Sequence, residues 1–191
     1  IKVVAEFLNS SNSEILLKEN ANEEIIKSKD LTKYNVIHFA THGEVSGVLS
    51  GYNEPFLVLT PPDIITDTND GLLTMSEIMN LNTSADIVVL SACNTGSGDQ
   101  NTSDGFSGLA KGFFMSGSKS ILVSNWYVET FAAQKMIINF FKNIKSNENK
   151  TLSENLNLTM IDFIKEEKDK SHPIFWAPFV LVGSDKKILL K

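Results

Sequence analysis

An α/β fold, with a mainly parallel sheet covered by helices on both faces, is the architecture this sequence predicts. Short runs at 35–40, 86–92 and 119–125 are rich in β-branched and aliphatic residues. Runs that short, apolar at nearly every position, suit strands buried on both faces. Segments with apolar residues at helical spacing stand between and after them, and such alternation of strand and helix favours parallel crossovers. The 191 residues, 42% of them hydrophobic and 21% charged, are enough for one domain spanning 1–191 with a single sizeable core.

The elements follow in order. Residues 2–9 read as a short amphipathic helix, 10–13 as a polar turn and 14–18 as a short strand. Asn20 is placed to cap a helix over 21–29, with Glu23 and Glu24 favoured by the dipole of its first turn. The strand at 35–40 runs into Thr41, His42 and Gly43. The stretch 44–70, full of Gly, Ser, Pro, Asn and Asp, reads as loops and hairpins around one clear strand at 56–60. Thr74 with Glu77 three residues on has the spacing of a capping box. Strand 86–92 ends at Cys93, and a Gly/Ser/Asp loop covers 95–105. Phe106, Leu109, Ala110, Phe113 and Phe114 then mark a helix over 106–116. Strand 119–125, helices 128–145 and 152–168, and a last strand at 178–183 complete the chain.

Charge and composition exclude several function classes. With 17 Lys and Arg against 23 Asp and Glu, the net charge is −6. Phosphate contacts need a basic face, so direct nucleic-acid binding is not expected. No apolar stretch has the length of a membrane span, and the first residues lack a signal-peptide pattern. A single cysteine permits no internal disulfide. A cytoplasmic protein without a membrane partner is the expectation.

Two residues capable of nucleophilic chemistry fall at strand ends, where open α/β sheets collect functional groups. They are His42, past strand 35–40, and Cys93, past strand 86–92. A free thiol, with a pKa of about 8.5, is only a few per cent thiolate at neutral pH. An imidazole beside it would take its proton and later protonate a leaving amine. The N–H groups of Gly43 and Cys93 are the natural donors to an oxyanion. Each residue also has a plainer reading. A lone cysteine is ordinarily a small buried hydrophobe, and a lone histidine is more often structural. His38, within a strand, reads as a hydrogen-bonded core residue, and His172, before Pro173, as a solvated one. Only His42 joins a strand end to a following glycine.

The surrounding words decide between these readings. HFATHG at 38–43 and LSACNTG at 90–96 resemble the two active-site motifs of the CHAT family, caspase-like cysteine peptidases related to separases. DGLLTMSEI at 70–78, DGFSGLAKGFF at 104–114, SNW at 124–126 and HPIFWAPFVLVG at 172–183 follow in that family's order. The resemblance implies a caspase-like fold, a His42–Cys93 dyad that cleaves a protein substrate, and neither metal nor cofactor. It also implies a regulatory partner, such as the TPR repeats that often accompany these domains. Family members usually open with a further strand that lies centrally in the sheet. The chain from Ile1 onward starts after that strand, so a piece of a longer protein is expected. Related separases hold a basic substrate residue with an acid near the position of Trp126. Glu129, Asp104 and Trp126 are therefore the candidates for a substrate pocket, although Thr130 stands where a further acid is usual and Glu129 also suits the first turn of a helix. The alternative function is an interaction module that keeps these motifs without turnover.

Overall fold

The computed structural model describes residues 1–8, 13–47, 49, 51, 53–91 and 108–188. Its elements are α1 (Lys2–Leu8), α2 (Glu23–Ser28), β1 (Val36–Phe39), β2 (His42–Glu44), β3 (Phe56–Val58), β4 (Leu72–Thr74), α3 (Met75–Asn80), β5 (Ile87–Leu90), α4 (Gly108–Met115), β6 (Ser120–Ser124), α5 (Thr130–Ser146), α6 (Leu152–Glu166) and β7 (Phe179–Gly183).

The main sheet has the order β1-β5-β6-β7. Strands β1, β5 and β6 are parallel, and β7 runs antiparallel to β6. All four residues of β5 are buried because the strand is covered twice. Ile87 and Val89 pack with Val4 of α1, Phe140 of α5 and Phe163 of α6, while Val88 and Leu90 pack with Ile78 of α3 and Phe113 of α4. Such double cover is why these strands carry continuous apolar runs instead of alternating ones. It is the caspase-like, mainly parallel arrangement with helices on both faces that the sequence predicts.

The 44–70 excursion holds more pairing than expected. β2, β3 and β4 form a separate antiparallel sheet in that order, with His42 opposite Val58 and Leu57 opposite Leu73. His42-Gly43-Glu44 has little strand propensity of its own, so its conformation comes from pairing with the buried β3.

Two other expectations change. Residues 13–17 carry no strand assignment, and the backbone at Leu17 is extended. Asn22, not Asn20, caps α2, its side chain accepting from the Ile25 N–H at 2.9 Å. Asn20 instead closes a 3-10 turn, Lys18–Asn20. The Thr74–Glu77 capping box is present as expected. Among the described residues no helix is long and apolar enough to cross a membrane.

Candidate active site

The carboxyl ends of β1 and β5 lie side by side. Phe39 and Leu90 are register partners at the tips of the two parallel strands, and neighbouring strands stand about 4.8 Å apart. Beyond that pair the Ser91 N–H donates to the Phe39 carbonyl at 2.9 Å. His38 adds a second tie, its Nε2 lying 2.7 Å from the Ser91 hydroxyl.

His42 follows Phe39 by three positions, and Cys93 follows Leu90 by the same number. His42 is the first residue of β2, exposed, and makes no side-chain hydrogen bond among the described residues. Its neighbours are fixed. The Thr41 hydroxyl donates to the Val58 carbonyl, and Gly43 is buried opposite Leu57. The backbone on either side of the exposed imidazole is thus anchored. Cys93 and Asp104 lie outside the described residues.

His38 is the second histidine of this edge and differs sharply from His42. Its Nδ1 is buried with no hydrogen-bond partner among the described residues. Burial, with a smaller contribution from the amino group of Ile1, pulls its pKa down to about 4. The ring is neutral at pH 7 and serves as a strut between the two strand ends, the core role its sequence position suggests. Its partner Ser91 was not singled out from the sequence, although it sits inside the LSACNTG word.

Trp126 and Glu129 stand just past the carboxyl end of β6, on the same edge of the sheet. Trp126 is partly exposed and its indole N–H donates to the Ile174 carbonyl at 3.1 Å. Glu129 is the N-cap of α5, accepting from the Ala132 N–H at 3.0 Å. That bond, with Lys170 as a lesser cause, holds the carboxyl below its ordinary pKa. Lys170 Nζ approaches Glu129 at 3.6 Å and lies over the rings of Phe175 and Phe131, 5.0 and 5.9 Å from their centroids. The site thus holds a cation supplied by the chain itself, a feature with no signal in the sequence because Lys170 is far from Glu129 along the chain. His172, read as solvated, is exposed, and its Nδ1 accepts from the Ile174 N–H at 3.2 Å.

Comparison with known proteins agrees with this architecture. The model of the CHAT domain family matches residues 1–184. Tetratricopeptide repeat protein 28 of Mus musculus and its counterpart of the same name in Homo sapiens are each 30% identical over 185 residues. Those matches cover 83% of this chain but 7% of each relative, so the chain spans a small part of the length of the curated relatives it matches. With a family match over nearly its whole length and the two motif-bearing strands in register, the chain belongs to the CHAT domain family.

Proposed function

We propose that this domain is a cysteine endopeptidase in which His42 and Cys93 act as the dyad on a protein substrate. The observation that carries the reading is the equal offset of the two residues beyond the registered Phe39–Leu90 pair at adjacent parallel strand ends. In the reaction His42 accepts the thiol proton and the thiolate attacks the scissile carbonyl. The Gly43 and Cys93 N–H groups stabilise the oxyanion. The imidazolium then protonates the departing amine, leaving a thioester that water hydrolyses. Trp126 flanks the cleft, with Glu129 and Asp104 as candidates to hold a basic substrate side chain. Glu129 can do so only by exchanging Lys170 for it. TPR repeats, named in the relatives, are the proposed regulatory context, and the cytoplasm the proposed compartment.

A peptide probe with a thiol-reactive group tests the reading. It should label the wild type, fail with Cys93→Ala, and label His42→Ala at least about a hundredfold more slowly, within the range for a lost general base. Circular dichroism should show both variants folded. Equal labelling of wild type and His42→Ala would favour an interaction module that retains the motifs without turnover.

A further inference from the structure

Two large apolar side chains stand out from the surface together. Ile64 and Ile65 are 79% and 68% exposed, more than any other large apolar residue described. Isolated apolar side chains on a surface are ordinary. A neighbouring pair is ordinary too on a loop loose enough to fold it away, but this loop is fastened. At its base the Leu59 N–H donates to the Gly71 carbonyl at 2.7 Å. Gly71, at φ +92°, lies so close to Pro61 that a Cβ there would meet the Pro61 Cα at 2.9 Å. At its tip Thr66 and Asn69 exchange two backbone hydrogen bonds, each 3.1 Å. Lys27 Nζ donates to the Thr68 carbonyl at 2.7 Å, and the Glu23 carboxylate holds the Asp70 and Gly71 N–H groups. The segment bearing the Ile pair is therefore held on both sides, and a partner that takes the pair has little loop entropy to remove.

The small sheet places this loop beside the candidate site. His42 is opposite Val58, and Val58 is opposite Leu72. The loop leaves β3 after Val58 and enters β4 at Leu72, so its two feet stand one and two strand lanes from His42, about 5 and 10 Å. Ile64 follows Val58 closely along the chain. At no more than about 3.5 Å per residue it lies within roughly 26 Å of His42.

Charge selects what can cover the pair. Between Lys33 and Lys111 the sequence contains no Lys or Arg, although Asp and Glu recur throughout. Cations from outside this stretch neutralise two of the acids, Lys27 on Glu77 and Lys119 on Asp86. Asp63 and Asp67 flank the Ile pair and are exposed, as is Glu44 just past His42. None of these three has an ion pair among the described residues. A nucleic acid or an anionic membrane surface would be repelled here. A protruding knob also cannot enclose a small molecule as a concave pocket does. A polypeptide with adjacent apolar side chains between Lys or Arg residues meets both features, and the negative field steers it in.

We infer that Ile64 and Ile65, with Asp63 and Asp67 at their flanks, form a docking knob for the protein substrate. The knob takes a substrate segment of cation-flanked apolar residues that lies away from the bond cut. The inference rests on the peptidase reading of His42 and Cys93, because proximity to that site is what makes the docked protein a substrate.

The thiol-reactive peptide probe tests this when it carries a tail. A Gly/Ser spacer of about twenty residues, with an average reach of roughly 25 Å, matches the span and gives the tail its highest effective concentration. The tails have the form Lys-Z-Z-Lys, where Z is Leu, Val, Phe or Met. At equal subsaturating concentration, at least one tail should speed labelling of Cys93 about tenfold or more over the untailed probe. The gain should vanish in Ile64→Ser combined with Ile65→Ser, with the fold checked by circular dichroism. Asp63→Lys combined with Asp67→Lys should transfer the gain to tails of the form Glu-Z-Z-Glu, a reversal that a damaged loop would not produce. If the untailed probe labels Cys93 and no tail speeds it, the knob is overturned while the peptidase reading stands. If no probe labels Cys93, the peptidase reading fails and the substrate knob falls with it. Methyl resonances of Ile64 and Ile65 that shift with a free tail peptide, without any faster labelling, would assign the knob to a regulatory protein and overturn the inference. A dimer in sedimentation that the two Ile→Ser changes abolish would overturn it as well, because a second copy would then cover the knob.

Discussion

Two histidines four positions apart have opposite fates, and the difference is environmental. His42 sits exposed on an anchored corner, whereas His38 is shut against Phe141, 6.2 Å between ring centroids, and bonded to Ser91. With its folded pKa lowered to about 4 and an unfolded value of about 6.5, His38 binds a proton in the unfolded chain before it does in the folded one. Stability should therefore be unaffected by this group above pH 6.5 and fall as pH drops from about 6.5 to 4, by at most about 3 kcal/mol. Urea titrations at pH 7 and 4.5 should show a larger loss for the wild type than for His38→Gln; equal losses would mean that another group governs the acid limb. At Glu129 the sequence suggests two roles, and the geometry shows the carboxylate capping α5 and facing Lys170. If it also receives a basic substrate residue, Lys170→Ala should raise kcat/KM for reporters cut after Arg or Lys, and Glu129→Gln should lower it by about tenfold or more. Unchanged selectivity in both variants would leave Glu129 a helix cap alone. The sequence shows where β1 and β5 end, within one or two residues, because strand ends are local features. It does not show Ser91 or Lys170, whose partners lie far away along the chain.

Among the elements, the strongly patterned ones match their expected positions within a few residues, while the short ones depend on partners. The 17 residues of α5 carry a full apolar stripe and could be read directly. The three of β2 could not, because pairing with β3 makes them a strand. Likewise residues 14–18 have strand composition but no ladder in which to express it. α2 shows the same dependence in its charges. Glu23, expected as a first-turn acid favoured by the helix dipole, stands in that turn but is fully buried, and it accepts from the Asp70 and Gly71 N–H groups at 2.8 and 2.5 Å and from Lys27 at 2.7 Å. Lys27 also reaches Glu77 of the α3 capping box at 2.6 Å. One carboxylate thus ties α2 to the turn that starts β4. Glu23→Ala would remove the acceptor of the buried Gly71 N–H and of the half-buried Asp70 N–H and weaken the Lys27 link, and should cost roughly 3–5 kcal/mol. Lys27→Met, which keeps the carboxylate bonded to both N–H groups, should cost less. A larger loss for Lys27→Met in chemical denaturation would place the anchor in the ion pair instead of the turn.

At the scale of the whole molecule, one sheet separates two cores that share its strands. Ile121 of β6 packs with Phe113 on one side and Leu122 with Phe140 on the other. Neither core can lose its helices without exposing β5 and β6, whose residues are all buried. The small β2–β4 sheet joins the first core through Leu57 and Leu73 and so belongs to the same unit. The described fold should therefore unfold in one transition, with no stable half. Phe113→Ala and Phe140→Ala, in opposite cores, should each cost about 3–5 kcal/mol by removing a fully buried ring. Both should shift the denaturation midpoint while leaving its slope unchanged, because each variant exposes the same surface on unfolding. Trp126 and Trp176, both close to the 170–176 segment, report by fluorescence on one corner, whereas far-ultraviolet circular dichroism reports on all helices. Coincident transitions by the two probes, in the wild type and in both variants, are the expected result. If Phe140→Ala released a fluorescence change well ahead of the loss of helix, the core under α5 would be melting alone, and the shared strands would not couple the two sides.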